Sequence, residues 1–361
     1  MNHWKETAEI LSRLAELAAT GGKAALATVA SISGSAYRRP GAKFLIEQTG
    51  GTMGSVSGGC LEADVRDVAM AVVASGQPSL RHYSTGGDDD VVWGLGLGCN
   101  GMVDVFVQPA TAGPLAELAG RLRELLLGDT PFALATVVDE EGMGAMLLLE
   151  PGGTVRGSLG TPELDRFAIA EAQGLLPSGR SGVHTIGGRR VFVEVLPPPH
   201  HLVVCGAGED ARPLVAYAAD SGFRVTLVDH RPALLVPEHF PAAARLVLAR
   251  PGQPDLALPP PERSLAVVKT HSLAIDREWV RLFLSAGYPY VGVLGPRERT
   301  TGILREIGAE GDPRVYGPVG LDLGADGPRQ VAVSIVAELL SVLAHREPRH
   351  LQARQEAIHA G

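Results

Sequence analysis

The chain has 361 residues, 45% of them hydrophobic but only 5% aromatic, with 45 glycines and 26 prolines, which suits a loop-rich α/β protein of about two domains rather than a disordered one. Its 32 basic and 40 acidic side chains give a formal charge of −8 without any Lys/Arg block, so no phosphate-neutralising surface is advertised and a nucleic-acid partner is not expected. The three cysteines, Cys60, Cys99 and Cys205, are far apart and form neither a CxxC pair nor a disulfide framework.

Residues 1–20 place Ile10, Leu11, Leu14 and Leu17 at helical spacing among charges and lack the basic start and apolar run of a secretory signal, so a cytoplasmic protein is expected. Two later stretches resemble each other, "AALATVASISGSAYRRPGAKFLIEQTGGTMGSVSGG" from Ala24 and "FALATVVDEEGMGAMLLLEPGGTVRGSLG" from Phe132. Each reads as strand, loop, strand, Gly-Gly turn and a Gly-Ser step before a helix. This is a tandem duplication, with copies near 24–65 and 132–170, inside a first domain spanning 1–196.

The copies differ in ways a shared scaffold does not require. The loop between Val29 and Glu47 is five residues longer than that between Val137 and Glu150, and Gly58-Gly59-Cys60 faces an ordinary helix start, Thr161-Pro162-Glu163, in the second copy. Chemistry is therefore expected in the first copy. If Gly58 and Gly59 form a turn and Cys60 opens the helix "LEADVRDVAMAVVASG", exposed amides and the helix dipole would lower the thiol pKa. Such a sulfur can ligate a soft metal or carry a sulfur atom. Arg38, Arg39 and Lys43, with Ser35 in the same loop, would hold a phosphate or another anion. Glu62 either ties the turn to the helix or acts as an acid or base. Cys99 lies in a second glycine-rich turn, "WGLGLGCNGMVDVFVQP". No zinc-ligand spacing and no GxSxG elbow is present.

Pro197, Pro198 and Pro199 force an extended connection and mark a linker. Beyond it, 200–345 reads as a Rossmann-type doubly wound parallel sheet, with 346–361 as a tail. "HLVVCGAGEDARPLVAYAADSGFRVTLVDHRP" has a buried strand, Gly206-Ala-Gly208-Glu-Asp-Ala211, a helix, and a strand ending in Asp229. In that pattern Gly206 makes the tight turn, Gly208 admits a pyrophosphate and Asp229 takes a ribose. Arg231 could instead face a 2′-phosphate, so NAD and NADP stay open, while Glu209 and Asp210 oppose an incoming pyrophosphate. "SLAVVKTHS" is a strand that delivers His271 to a carboxyl end, and Asp276 can cap the next helix. "GPVGLDLGADGP" is a glycine-rich loop carrying Asp322. The last long apolar run, "VAVSIVAELLSVLA", holds Glu338 and is too short to cross a bilayer, so no membrane is expected.

Across "GSAYRRPGAKFLI", "GSVSGGCLE", "GLGLGCNG", "CGAG", "VTLVDHRP", "KTHS", "YVGVLGPRER" and "GPVGLDLGA", the chain resembles the xanthine dehydrogenase accessory factors, XdhC/CoxI. The resemblance covers most of the chain. It implies a cysteine-bearing α/β XdhC/CoxI domain followed by a Rossmann domain. It further implies an accessory protein that binds molybdenum cofactor, as molybdopterin or its dinucleotide, and supports sulfuration with a cysteine desulfurase. The product would pass to the apoenzyme of a molybdenum hydroxylase of the xanthine, aldehyde or CO dehydrogenase type. On this reading Cys60 is the metal or sulfur contact; Cys60, Cys99, His271 and Asp322 are the candidate catalytic residues. Ser35, Arg38, Arg39, Gly58, Gly59, Gly206, Gly208, Asp229 and Arg231 are the candidate cofactor-binding residues. A homodimer is expected because duplicated domains tend to pair. Glu209 and Asp210 stand where the family has glycine, histidine and valine after "GAG", Cys99-Asn100-Gly101 replaces "CGG", and Leu294-Gly295-Pro296 replaces "LGS". The alternatives are an NAD(P)-dependent oxidoreductase using His271 or Asp322 as acid or base, and a scaffold whose glycine turns serve packing.

Overall fold

The computed structural model describes residues 4–34, 37–84, 101–253 and 256–355. The chain divides into two units between Pro198 and Pro199.

In the first unit, α1 (Trp4–Thr20) precedes β1 (Ala24–Gly34), β2 (Lys43–Glu47), β3 (Thr52–Gly54), α2 (Glu62–Ser75), β4 (Ser79–Ser84) and β5 (Gly101–Pro109). A second series follows: α3 (Gly113–Leu127), β6 (Phe132–Val137), β7 (Met146–Leu149), β8 (Val155–Ser158), α4 (Pro162–Leu175), β9 (Gly182–Ile186) and β10 (Arg189–Leu196). The antiparallel sheets have orders β3-β2-β1-β5-β4 and β8-β7-β6-β10-β9, so the duplication read from the sequence is a duplication of structure. Register fixes the equivalences. Thr28 of β1 pairs with Lys43 and Phe106, and Thr136 of β6 pairs with Met146 and Phe192. Both copies share one strained device: Gly54 and Gly157 hold φ of 83° and 78°, where an added Cβ would lie 2.3 Å from the carbonyl oxygens of Lys43 and Met146.

Strand alternation divides the apolar residues between two layers. Ala25, Ala27 and Val29 face α2, and Ala133, Ala135 and Val137 face α4. Leu26 and Leu134 face inward with the apolar stripes of α1 and α3. Both faces of each sheet are covered, which is why β1 and β6 read as nearly continuous apolar runs.

The second unit contains β11 (His201–Cys205), α5 (Ala211–Asp220), β12 (Arg224–Asp229), β13 (Arg245–Leu248), β14 (Ser264–Val268), α6 (Leu273–Ser285), β15 (Val291–Val293), α7 (Arg297–Ile307), β16 (Val315–Tyr316) and α8 (Pro328–Leu343). Its six strands are parallel in the order β13-β12-β11-β14-β15-β16. Helices α5 and α8 pack with one face of this sheet, and Trp279, Val280, Phe283 and Ile303 of α6 and α7 with the other. This is the expected doubly wound Rossmann architecture, with the strand order reversing between β11 and β14. Among the described residues no helix is long and apolar enough to cross a membrane. Glu338 sits buried in α8, accepting from the Tyr290 hydroxyl at 2.5 Å and the Gly320 amide at 3.0 Å.

Candidate functional site

The turn between β3 and α2 is organised by Glu62. Its carboxylate accepts from the backbone amides of Val56 (3.2 Å), Ser57 (3.0 Å), Gly58 (3.2 Å) and Gly59 (2.8 Å), and from the hydroxyls of Ser55 (2.8 Å) and Ser57. Burial alone would raise its pKa, but the hydroxyls of Ser57 and Ser55 and the backbone amides bring it down to about 2. Gly58 and Gly59 have φ of 96° and 118°, the left-handed conformations that let successive amides converge on one carboxylate.

This geometry corrects the expected thiolate cradle. Helix α2 starts at Glu62 with Leu61 at its cap, so Cys60 precedes the helix, and the amides assigned to a sulfur or anion donate to Glu62. The structural reading of Glu62, tying turn to helix, is the one observed. Cys60 itself is exposed at the tip of the locked turn.

The arginine loop reaches the same turn through Tyr37, whose ring lies against Gly58, within 2.9 Å of where a Cβ would be. Arg38 is engaged by Glu6 of α1, its Nη2 lying 2.6 Å from both carboxylate oxygens. Lys43, expected in the loop as an anion ligand, instead begins β2 and is buried in an ion pair with Glu194 of β10. Arg39 is exposed. Ser35 and Cys99 lie outside the described residues.

The second copy repeats the turn without the cysteine. Ser158 and the Leu159 amide donate to Asp165 at 2.8 and 2.7 Å, so Asp165 matches Glu62 and Glu163 stands where Cys60 does. Thr161 caps α4 by accepting from the Leu164 amide, as its Thr-Pro-Glu sequence implies. There the strand-connecting loop, the helix start and the β9–β10 turn enclose a cleft of about 530 Å³, lined by Glu141, Gly160, Thr161, Glu163 and Arg189 among others.

At the carboxyl edge of the parallel sheet, Gly206 has φ of 118°, and a Cβ there would strike the Lys269 carbonyl at 2.4 Å. The glycine is therefore needed for the crossing of 269–270 as well as for the turn. Asp229 is wholly buried. It accepts from the Ala207 amide (2.7 Å), the Arg231 amide (2.8 Å) and the Arg231 guanidinium (2.9 Å at both oxygens). Burial alone would raise its pKa, but these bonds, those of Arg231 foremost, hold it at about 2. The carboxylate expected to take a ribose is thus occupied, and Arg231, expected at a 2′-phosphate, is what occupies it.

Sequence reasoning did not single out Lys269. Its side chain is 2% exposed and its Nζ lies 2.7 Å from Asp210 Oδ1. Burial draws the ammonium below its ordinary pKa against the opposing pull of that carboxylate. A lone lysine directly after the run "SLAVV" was the available signal. His271 has the left-handed φ of 64° and places Nε2 3.4 Å from Asp210 Oδ2. Asp276 lies in the first turn of α6, not at its cap, and accepts from the Thr270 amide (3.0 Å), the Thr270 hydroxyl (2.6 Å) and Arg299 (2.5 Å). Asp322 is exposed in the loop before α8, whereas His271 stands between β14 and α6.

Comparison with known proteins matches residues 17–84 and 125–187 to the XdhC and CoxI family, and residues 202–339 to the XdhC Rossmann domain. The chain belongs to the XdhC and CoxI family. A protein of Bacillus subtilis named as a probable xanthine dehydrogenase subunit is 33% identical over 88% of this chain and 92% of its own length. The uncharacterised protein YqeB of Escherichia coli is 28% identical over 59% of this chain and 43% of its own. A crystal structure described as a xanthine dehydrogenase from Bacillus halodurans superposes with a TM-score of 0.79 at 27% identity, covering 94% of this chain and 96% of that one.

The XdhC resemblance implies a molybdenum cofactor, and the donor set of this XdhC chain fits it at one point. An exposed thiol on a rigid turn is a suitable contact for a soft metal or its sulfur. The amides beneath it do not fit an anion, because Glu62 already fills them. Nor does the Gly206–Gly208 turn fit a pyrophosphate as it stands. A Cβ on Gly208 would meet Asp210 Oδ1 at 2.7 Å, so a carboxylate oxygen already holds the close approach that the second glycine of the fingerprint provides.

Proposed function

We propose that this XdhC protein is an accessory factor in the maturation of a molybdenum hydroxylase and handles the molybdenum cofactor before the apoenzyme receives it. The observation that carries the reading is the exposed Cys60 on the Glu62-locked turn, against which Tyr37 brings the arginine loop. The cofactor, when bound, supplies a soft metal centre able to exchange an oxygen ligand for sulfur. Cys60 offers it a thiol, and Arg39 on the adjoining loop offers positive charge to the pterin phosphate. The name of the Bacillus subtilis relative ties it to xanthine dehydrogenase, which supports a molybdenum hydroxylase as the recipient. A cysteine desulfurase is the proposed sulfur source.

The nicotinamide oxidoreductase reading is not adopted, since Asp229 and the Gly208 approach are both engaged by the protein itself. The test is to purify the protein from cells that make molybdopterin, release and oxidise any pterin, and measure its fluorescence. Wild type should carry pterin and Cys60→Ser should lose it while keeping its melting temperature. Pterin retained in full by Cys60→Ser would overturn the role of the thiol.

A further inference from the structure

The core of the first unit holds polar side chains that the proposed maturation role leaves unused. A cavity there is walled by apolar side chains of α1, α3 and both antiparallel sheets, and Thr7, Thr28, Lys43, Gln108, Thr136 and Glu194 open onto it. None of these polar residues is more than 6% exposed. We infer that the cavity is an internal water site, holding about two molecules that join the first copy to the second.

The first observation is unmet bonding. Among the described residues, the side chains of Thr7, Thr28, Gln108 and Thr136 have no hydrogen-bond partner, although all four are more than nine-tenths buried. Each faces the cavity and so is not sealed into the packing. The Lys43 ammonium donates to the Gly41 carbonyl at 3.0 Å and to one oxygen of Glu194, which leaves its third hydrogen and the other carboxylate oxygen over. Buried polar groups ordinarily find partners, and here no protein atom supplies them.

Size and charge then select the ligand. About 30 Å³ of the cavity is open to the centres of water-sized molecules. A water needs about 10–15 Å³ measured in this way, so an organic substrate does not fit. Lys43 repels a cation and Glu194 an anion, while the pair together is neutral. An apolar guest would leave every hydroxyl unbonded. What remains is a small neutral molecule that both donates and accepts, and an internal water makes about three such bonds.

The site draws on matching positions of the duplication, since register makes Thr28 equivalent to Thr136 and Gln108 equivalent to Glu194. Water between them therefore bridges the copies. It also solvates the atoms that the Lys43–Glu194 pair leaves over, which offsets part of the cost of burying that pair.

The full-length protein provides the test, through thermal melts and water deuteron relaxation dispersion, which detects internal waters by their slow exchange. Threonine to valine is nearly isosteric and removes the hydroxyl, so the sign of its effect separates a hydrated site from a dry void. Thr28→Val and Thr136→Val should each lower Tm by about 2–4 °C, the shift expected for one ordinary hydrogen bond in a unit of this size. The double variant should show a dispersion amplitude smaller by about one water or more. Thr28→Ser keeps the hydroxyl and should keep the full amplitude, which controls for altered packing. A rise in Tm in either valine variant, as follows when an unbonded hydroxyl leaves a dry void, or an unchanged amplitude in the double variant, would overturn the inference.

Discussion

Replacing Glu62 with glutamine removes the negative charge beneath the Cys60 turn while leaving the side chain's length unchanged. The native carboxylate accepts from amides at 56–59 and from the hydroxyls of Ser55 and Ser57, and its pKa falls from an ordinary 4.5 to about 2 although burial opposes the fall. A difference of this size corresponds to about 3 kcal/mol. The group is partly exposed, so solvent screening leaves about half of that, roughly 1.5 kcal/mol. Because the folded value lies below the unfolded one, this contribution is complete above about pH 4.5 and is lost as the pH falls through about 2. For a unit of this size the expected fall in Tm is about 3–6 °C near neutral pH, shrinking steadily below about pH 4. Scanning calorimetry of the two proteins across that range measures it, and the alkylation rate of Cys60 should rise in the variant as the turn loosens. A variant as stable as wild type at pH 7, or one whose deficit is equally large near pH 2, would refute the assignment of Glu62 as the anchor of the turn.

Lys43→Met leaves Glu194 buried without its partner and should cost about 3–5 kcal/mol; adding Glu194→Gln reproduces the Met146 and Gln108 of the equivalent positions, and denaturant unfolding should show most of the loss restored. Gly54→Ala and Gly157→Ala each drive a Cβ toward a carbonyl oxygen 2.3 Å away at positive φ, and each should lower stability by about 2 kcal/mol or more in the same assay. Gly206→Ala meets the Lys269 carbonyl at 2.4 Å and should destabilise the second unit, seen as faster proteolysis within 199–355.

The architecture was legible because its signals are local and repeated. The matched runs from Ala24 and Phe132 announced two like sheets, and strand, glycine turn, helix and strand announced the parallel one. What escaped depends on which donors a side chain finds after folding. Gly58-Gly59-Cys60 before an apolar helix reads equally well as a thiolate cradle or as a carboxylate clamp, and the choice is made by Glu62 folding back over five residues. Lys43 follows a loop rich in arginine, and its burial rests on Glu194, 151 residues away. Asp229 sits where a ribose ligand belongs in the pattern, yet Arg231 two residues later closes on it.

Register shows how the duplicated halves came to differ. Val105 and Val191 are equivalent through their pairing with Val29 and Val137, so the preceding residues, Asp104 and Arg190, are equivalent to each other. They also touch, with Arg190 Nη2 3.1 Å from Asp104 Oδ2. A residue that contacts its own equivalent lies on the pseudo-twofold axis, where an isologous dimer of either copy would oppose two aspartates or two arginines. Gln108 and Glu194 are likewise equivalent, as are Met146 and Lys43, so one of two related sites in the core carries an ion pair and the other does not. Both differences favour first copy against second and penalise like against like. Both contacts join the first copy to the second within one chain. The helix starts differ as well: Thr161 caps α4 in the second copy, whereas the exposed Cys60 precedes α2 in the first.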